Sequence, residues 1–76
     1  MSHFVERAKE KFDLNLTAAD CKEIVRITRV RRTKIGADKL MTFHEIEVGE
    51  TSMIVVKSKA NGRLITCYPI SDWYNF

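Results

Sequence analysis

Cysteine, proline and glycine are scarce in this 76-residue chain, with two, one and three residues respectively. Cys21 and Cys67 lack metal-ligand spacing and read as small buried thiols. The three glycines fall in separate turns, so there is no glycine-rich loop to cradle a phosphate. The longest apolar run, Met53-Ile54-Val55-Val56, is far short of the roughly 20 residues a bilayer-spanning helix needs. The first twelve residues alternate charged and apolar groups and contain no apolar leader core, so the expected location is the cytoplasm. His44-Glu45-Ile46-Glu47 lies in a strand-like stretch, where alternation sends His44 and Glu45 to opposite faces. It is therefore not a helical zinc motif. No repeat, low-complexity segment or linker interrupts the chain. One small domain without metal or cofactor is expected over residues 1–76.

What the sequence does have is positive charge in one place. The net charge is +3, yet residues 22–39 carry seven cations against Glu23 and Asp38, a local charge of +5. Arg26, Arg29, Arg31, Arg32 and Lys34 form its centre. Such a dipolar molecule turns one face toward a polyanion, while its modest total charge argues against indiscriminate coating of nucleic acid. Cations on an exposed edge strand also discourage pairing with other chains, which is a purely structural reading of the same residues.

Periodicity divides the chain. Ser2 suits the N-cap of a helix over about 3–12, whose apolar stripe is Phe4, Val5, Ala8 and Phe12. Thr17-Ala18-Ala19-Asp20 matches a capping box, opening a second helix over about 18–28 with Ala18, Cys21, Ile24, Val25 and Thr28 facing inward. Residues 29–38 read as a basic loop or edge strand. Strands follow at about 39–48, 52–59 and 63–68, with a type I′ hairpin turn at Asn61-Gly62 and a stop at Pro69. On the last strand, Ile65 and Cys67 share the core-facing side, and Thr66 and Tyr68 the other. Residues 70–76 form an aromatic tail. The fold class is α+β, with two N-terminal helices on one face of a three- to four-stranded antiparallel meander whose other face is open.

His3 and Arg7 stand one turn apart on the first helix, a proton carrier beside an anion binder. Their structural role, in the alternative, is for His3 to cap or pack on the last strand and for Arg7 to pair with Glu10 or Asp13. The run from Ser2 to Thr17, with Asp20 and Ile24, resembles the opening of small bacterial and phage proteins in or near the RelE-like and barnase-like toxin superfamily. Asn61-Gly62-Arg63-Leu64-Ile65-Thr66-Cys67-Tyr68-Pro69 resembles their closing hairpin and strand. Asp13 stands at their loop glycine and Lys11 at a second helix arginine. This resemblance implies a metal-independent endoribonuclease in which His3, Arg7, Thr66 and Tyr68 are catalytic. His3 is the acid or base, Arg7 grips the phosphate, Thr66 bonds a non-bridging oxygen, and Tyr68 stacks on a base or donates a proton.

Trp73 and Tyr74 in the tail complete the core, form a homodimer contact, or stack on bases. The expected function is that of a small phage-type protein that binds RNA or nucleic-acid machinery through the basic segment, with endoribonuclease activity of RelE-like type. The alternative is a non-enzymatic phage effector that binds and inhibits a host protein, for which exposed aromatics suit the interface. No membrane partner is expected.

Overall fold

The structure, a computed structural model, describes residues 3–74. The N-cap expected at Ser2 and the end of the tail, including Phe76, lie outside the described residues. Helix α1 (His3–Phe12) fully buries Phe4 and Ala8, one turn apart, with Val5 and Phe12 packed beside them. It ends where Asp13 takes φ 56° and donates its N–H to the Lys9 carbonyl at 3.0 Å. Aspartate tolerates this left-handed cap better than most residues. Lys9 Nζ lies 2.8 Å from its carboxylate and holds that carboxyl below its ordinary pKa.

Helix α2 (Ala18–Val30) begins with the expected capping box. Thr17 N–H donates to Asp20 Oδ2 at 2.9 Å, and Asp20 N–H donates to Thr17 Oγ1 at 3.1 Å. Ile24 and Thr28 are buried, whereas Ala18 is exposed and Val25 half-buried at the helix flank. The helix runs two residues beyond Thr28, because Arg31 N–H still reaches the Ile27 carbonyl at 3.1 Å. Arg29 is therefore helical.

Four strands, β1 (Lys34–Ala37), β2 (Met41–Val48), β3 (Thr51–Ser58) and β4 (Leu64–Pro69), pair in chain order as an antiparallel meander. The basic segment thus includes a short edge strand. Asp38 closes the first hairpin by accepting the N–H groups of Leu40 and Met41, both at 2.8 Å. Gly49, at φ 63°, turns β2 into β3. The third turn differs from the type I′ expectation. Ser58 pairs with Arg63 across a longer loop, and only Gly62 has positive φ, so Asn61 serves instead as the acceptor for Arg63 N–H at 2.9 Å.

Pairing register sorts the side chains. His44, Ile46, Met53, Val55, Lys57 and Cys67 face the helices, and the core joins Phe4, Ala8 and Ile24 to Ile46, Met53, Val55 and Cys67. A bulge opposite Val56 and Lys57 inserts Ile65 as an extra residue. Leu64, and not Ile65, therefore packs against the core beside Cys67.

The far face is not open. Helix α3 (Ile70–Tyr74) folds the tail back over β3 and β4, and Ile54 and Val56 on this face are buried. The Trp73 ring lies 5.0 Å from that of Phe43, centroid to centroid, and sits on Gly36. Apolar side chains on both faces of β3 require this second cover, which the periodicity of the tail alone does not reveal. A Cβ on Gly36 would stand 3.0 Å from the Trp73 ring. Gly36→Val is therefore expected to displace Trp73, seen as a red shift of tryptophan emission and a loss of about 1–3 kcal/mol in urea unfolding.

Candidate nucleic-acid interface

The basic residues gather around the C-terminal half of α2. Because α2 turns 100° per residue, Lys22, Arg26 and Arg29 share its outer flank, where the β3–β4 loop brings Arg63 alongside. Between them is a groove of about 590 Å³ floored by Val25, Val30 and Leu64, with no carboxylate in its lining. Arg26 is steadied by Glu23, with Nε to Oε1 at 2.9 Å, a pairing that raises the pKa of the guanidinium. Arg29 reaches over Gly62, whose bare backbone leaves it room.

A second depression, about 500 Å³, lies where the chain leaves α2 and enters β1. Arg31, Arg32 and Lys34 line its mouth. Its wall is formed by Thr28, Thr33, Thr42, His44 and Lys57. Lys57 is only 8% exposed, and its ammonium donates to Thr28 Oγ1 at 2.8 Å. That hydroxyl donates in turn to the Val25 carbonyl at 2.7 Å. His44 is 5% exposed, with Thr33 Oγ1 2.9 Å from Nδ1 and Thr42 Oγ1 2.9 Å from Nε2. This lining also contains no carboxylate. Burial, then the nearby Arg29, lowers the Lys57 pKa. Burial, then Lys57 and Lys34, lowers that of His44. The action of Arg29 on Lys57 places the two depressions within electrostatic reach of each other.

The lowered His44 pKa sets a pH window. In the unfolded chain His44 binds a proton near its ordinary value of 6.5, while the folded protein resists it. The unfolded state then holds more protons, so stability falls as pH drops through 6.5 toward the folded-state value, and is regained above it. The urea midpoint is expected to be lower at about pH 5.5 than at about pH 7.5, with a flatter profile in His44→Gln. The paired carboxylates of Asp13 and Glu23, whose pKa values are lowered, act only in more acidic solution.

Sequence reasoning found Arg26, Arg29, Arg31, Arg32 and Lys34, and the structure divides them between the two depressions. It missed Thr28, Thr33, Thr42, His44, Lys57 and Arg63. The signal was an alternation: polar Lys57 continues the inward positions of Met53 and Val55, and His44 precedes Ile46 on the same side. Trp73 and Tyr74 lie instead with the far face. Trp73 packs on Phe43, and the Tyr74 hydroxyl donates to Glu45 Oε1 at 2.9 Å.

The four residues implied as catalytic do not converge. The His3 side chain is 84% exposed with Glu6 3.5 Å away, and Arg7 pairs with Glu10 at 3.5 Å. Helix α1 covers the sheet face that holds Cys67, whose Sγ lies 3.8 Å from the Phe4 carbonyl. Thr66 and Tyr68 pair with Val56 and Ile54 and look to the opposite face. Alternation along β4 therefore separates them from α1. Burial, then Asp72, raises the Tyr68 pKa. Burial pushes the Cys67 thiol up to about 11, despite Arg7, which leaves it unreactive at neutral pH.

Among the described residues, no three His, Cys, Asp or Glu side chains gather to hold a metal ion, and no helix is long and apolar enough to cross a membrane. No protein-family profile, curated protein or solved structure matches the chain.

Proposed function

We propose that the chain binds single-stranded RNA along the basic face formed by the groove and the adjoining depression. One observation carries this reading: eight of the thirteen lysines and arginines line these two hollows, and no carboxylate lines either. Carboxylates make up most of the remaining charge, and Glu23, which pairs with Arg26, stands outside the lining, so the face keeps the excess of positive charge that suits phosphates. Arg26, Arg29 and Arg63 offer flat guanidinium planes for phosphates and bases, and Val25, Val30 and Leu64 offer an apolar floor for a sugar or base face. An unpaired strand fits a groove of this size better than a duplex, since its bases are free to turn inward. The RelE-like resemblance points to the same polymer. Since none of His3, Arg7, Thr66 and Tyr68 lines either hollow, the proposed activity is binding.

Fluorescence anisotropy with a labelled single-stranded RNA tests this. With about five phosphates neutralised, the log–log slope of affinity against salt is expected near −3.5, or roughly a hundredfold drop between about 50 and 200 mM salt. RNA that is not retained at low salt, or a slope near zero, would sink the reading and favour a host-protein partner.

A further inference from the structure

We propose that the depression walled by Thr28, His44 and Lys57 is a site for one terminal phosphomonoester, the phosphorylated end of the RNA strand that the neighbouring groove holds. The inference rests on the RNA reading for the polymer, and on the geometry of this depression for the end group.

Lys57 is the central observation. A lysine more than nine-tenths buried normally faces a carboxylate, yet the ammonium of Lys57 donates to the Thr28 hydroxyl, and the depression around it has no carboxylate. An ammonium has three donors. An anion entering this depression would supply the countercharge that the fold omits. Arg31, Arg32 and Lys34 at the mouth add three further cations on a loop and an edge strand. The hydroxyls of Thr33 and Thr42, already turned to His44, complete a wall of polar groups.

The charge and shape select a phosphomonoester over a phosphodiester. A monoester carries nearly two negative charges at neutral pH and presents three terminal oxygens, whereas a diester carries one charge and two free oxygens. A diester inside a strand also needs room for chain on both sides. Here the recess ends at the buried Lys57 and His44, so a group with one ester bond enters more easily than one with two. Arg29 lines the groove and Thr28, the preceding residue of α2, lines the depression, so the two hollows meet along this turn of the helix.

Three RNAs of one sequence, with a 5′-phosphate, a 3′-phosphate or hydroxyls at both ends, separate the possibilities by anisotropy at constant salt. One phosphorylated form is expected to bind about tenfold or more tightly than the hydroxyl form, and which one identifies the end recognised. Inorganic phosphate at millimolar concentration should erase that advantage without weakening the hydroxyl form. In Lys57→Met, which keeps the buried stem, the ratio of affinities for the phosphorylated and hydroxyl forms should fall to about one, whatever the change in the hydroxyl form itself. Arg32→Ala, at an exposed loop position, supplies the same comparison should Lys57→Met fail to fold.

Equal binding of all three RNAs overturns the inference and leaves the RNA reading intact. Failure of all three to bind removes the RNA reading itself. In that case, titration of inorganic phosphate alone, followed by NMR of His44 and Thr28, decides the site. Saturable shifts that Lys57→Met abolishes support an anion site for a free phosphate compound, and no shifts refute it.

Discussion

Replacing Phe4 with alanine is expected to lower the unfolding free energy by about 3–5 kcal/mol. A chain of this length has a total of roughly 4–11 kcal/mol, so the variant should be close to half unfolded in mild denaturant. Phe4 is 0% exposed and packs in the cluster that joins α1 to α2 and to three strands through Ile24, Ile46, Val55 and Cys67. A helix of ten residues has little stability alone, so docking of this ring keeps α1 folded. Removing the ring also opens a cavity within this cluster that surrounding side chains fill only in part. Urea unfolding followed by circular dichroism checks the value. A change below about 1 kcal/mol, within the range of ordinary surface substitutions and mild core swaps, would mean that α1 is not held as described.

The double variant Arg29→Glu/Arg63→Glu is expected to reduce RNA affinity by about a hundredfold or more at low salt. Each substitution removes a charge-assisted hydrogen bond and adds repulsion where a phosphate would lie. The salt slope should also flatten by about 1.4, at about 0.7 for each phosphate of a single strand that is no longer neutralised. Lys11→Glu makes the same charge change per site on α1, outside both hollows, and should alter affinity by no more than about threefold. Stability should not fall with binding. Arg29 and Arg63 are exposed, and glutamate at position 29 would face Lys57 with the opposite charge. A loss of binding free energy in Lys11→Glu half that of the double variant, in proportion to the charge changed, would show that net charge, and not the groove, governs the interaction.

Local features were legible in the sequence because their causes lie within one or two turns of chain. The Thr17/Asp20 capping box, the Phe4/Ala8 stripe and the basic run need only neighbours three or four residues away. The meander followed from strand alternation and turn residues. The two residues of the Asn61-Gly62 turn were located correctly, but its type depended on where Ser58 and Arg63 pair. The place of Ile65 likewise depended on a bulge that alternation alone does not show.

The sequence by itself determined the two helices, the order of the strands and the charge asymmetry, since propensity, period and composition act along the chain. Only the tertiary structure decided what those charges surround. Lys57 and Thr28 meet across 29 residues, and His44 meets Thr33 across 11. The same packing parted His3 and Arg7 from Thr66 and Tyr68, and it turned the aromatic tail onto a face expected to be open. Such meetings are set by register, bulges and the stacking of helices on a sheet, which place residues distant in sequence on one side of a strand or on opposite sides.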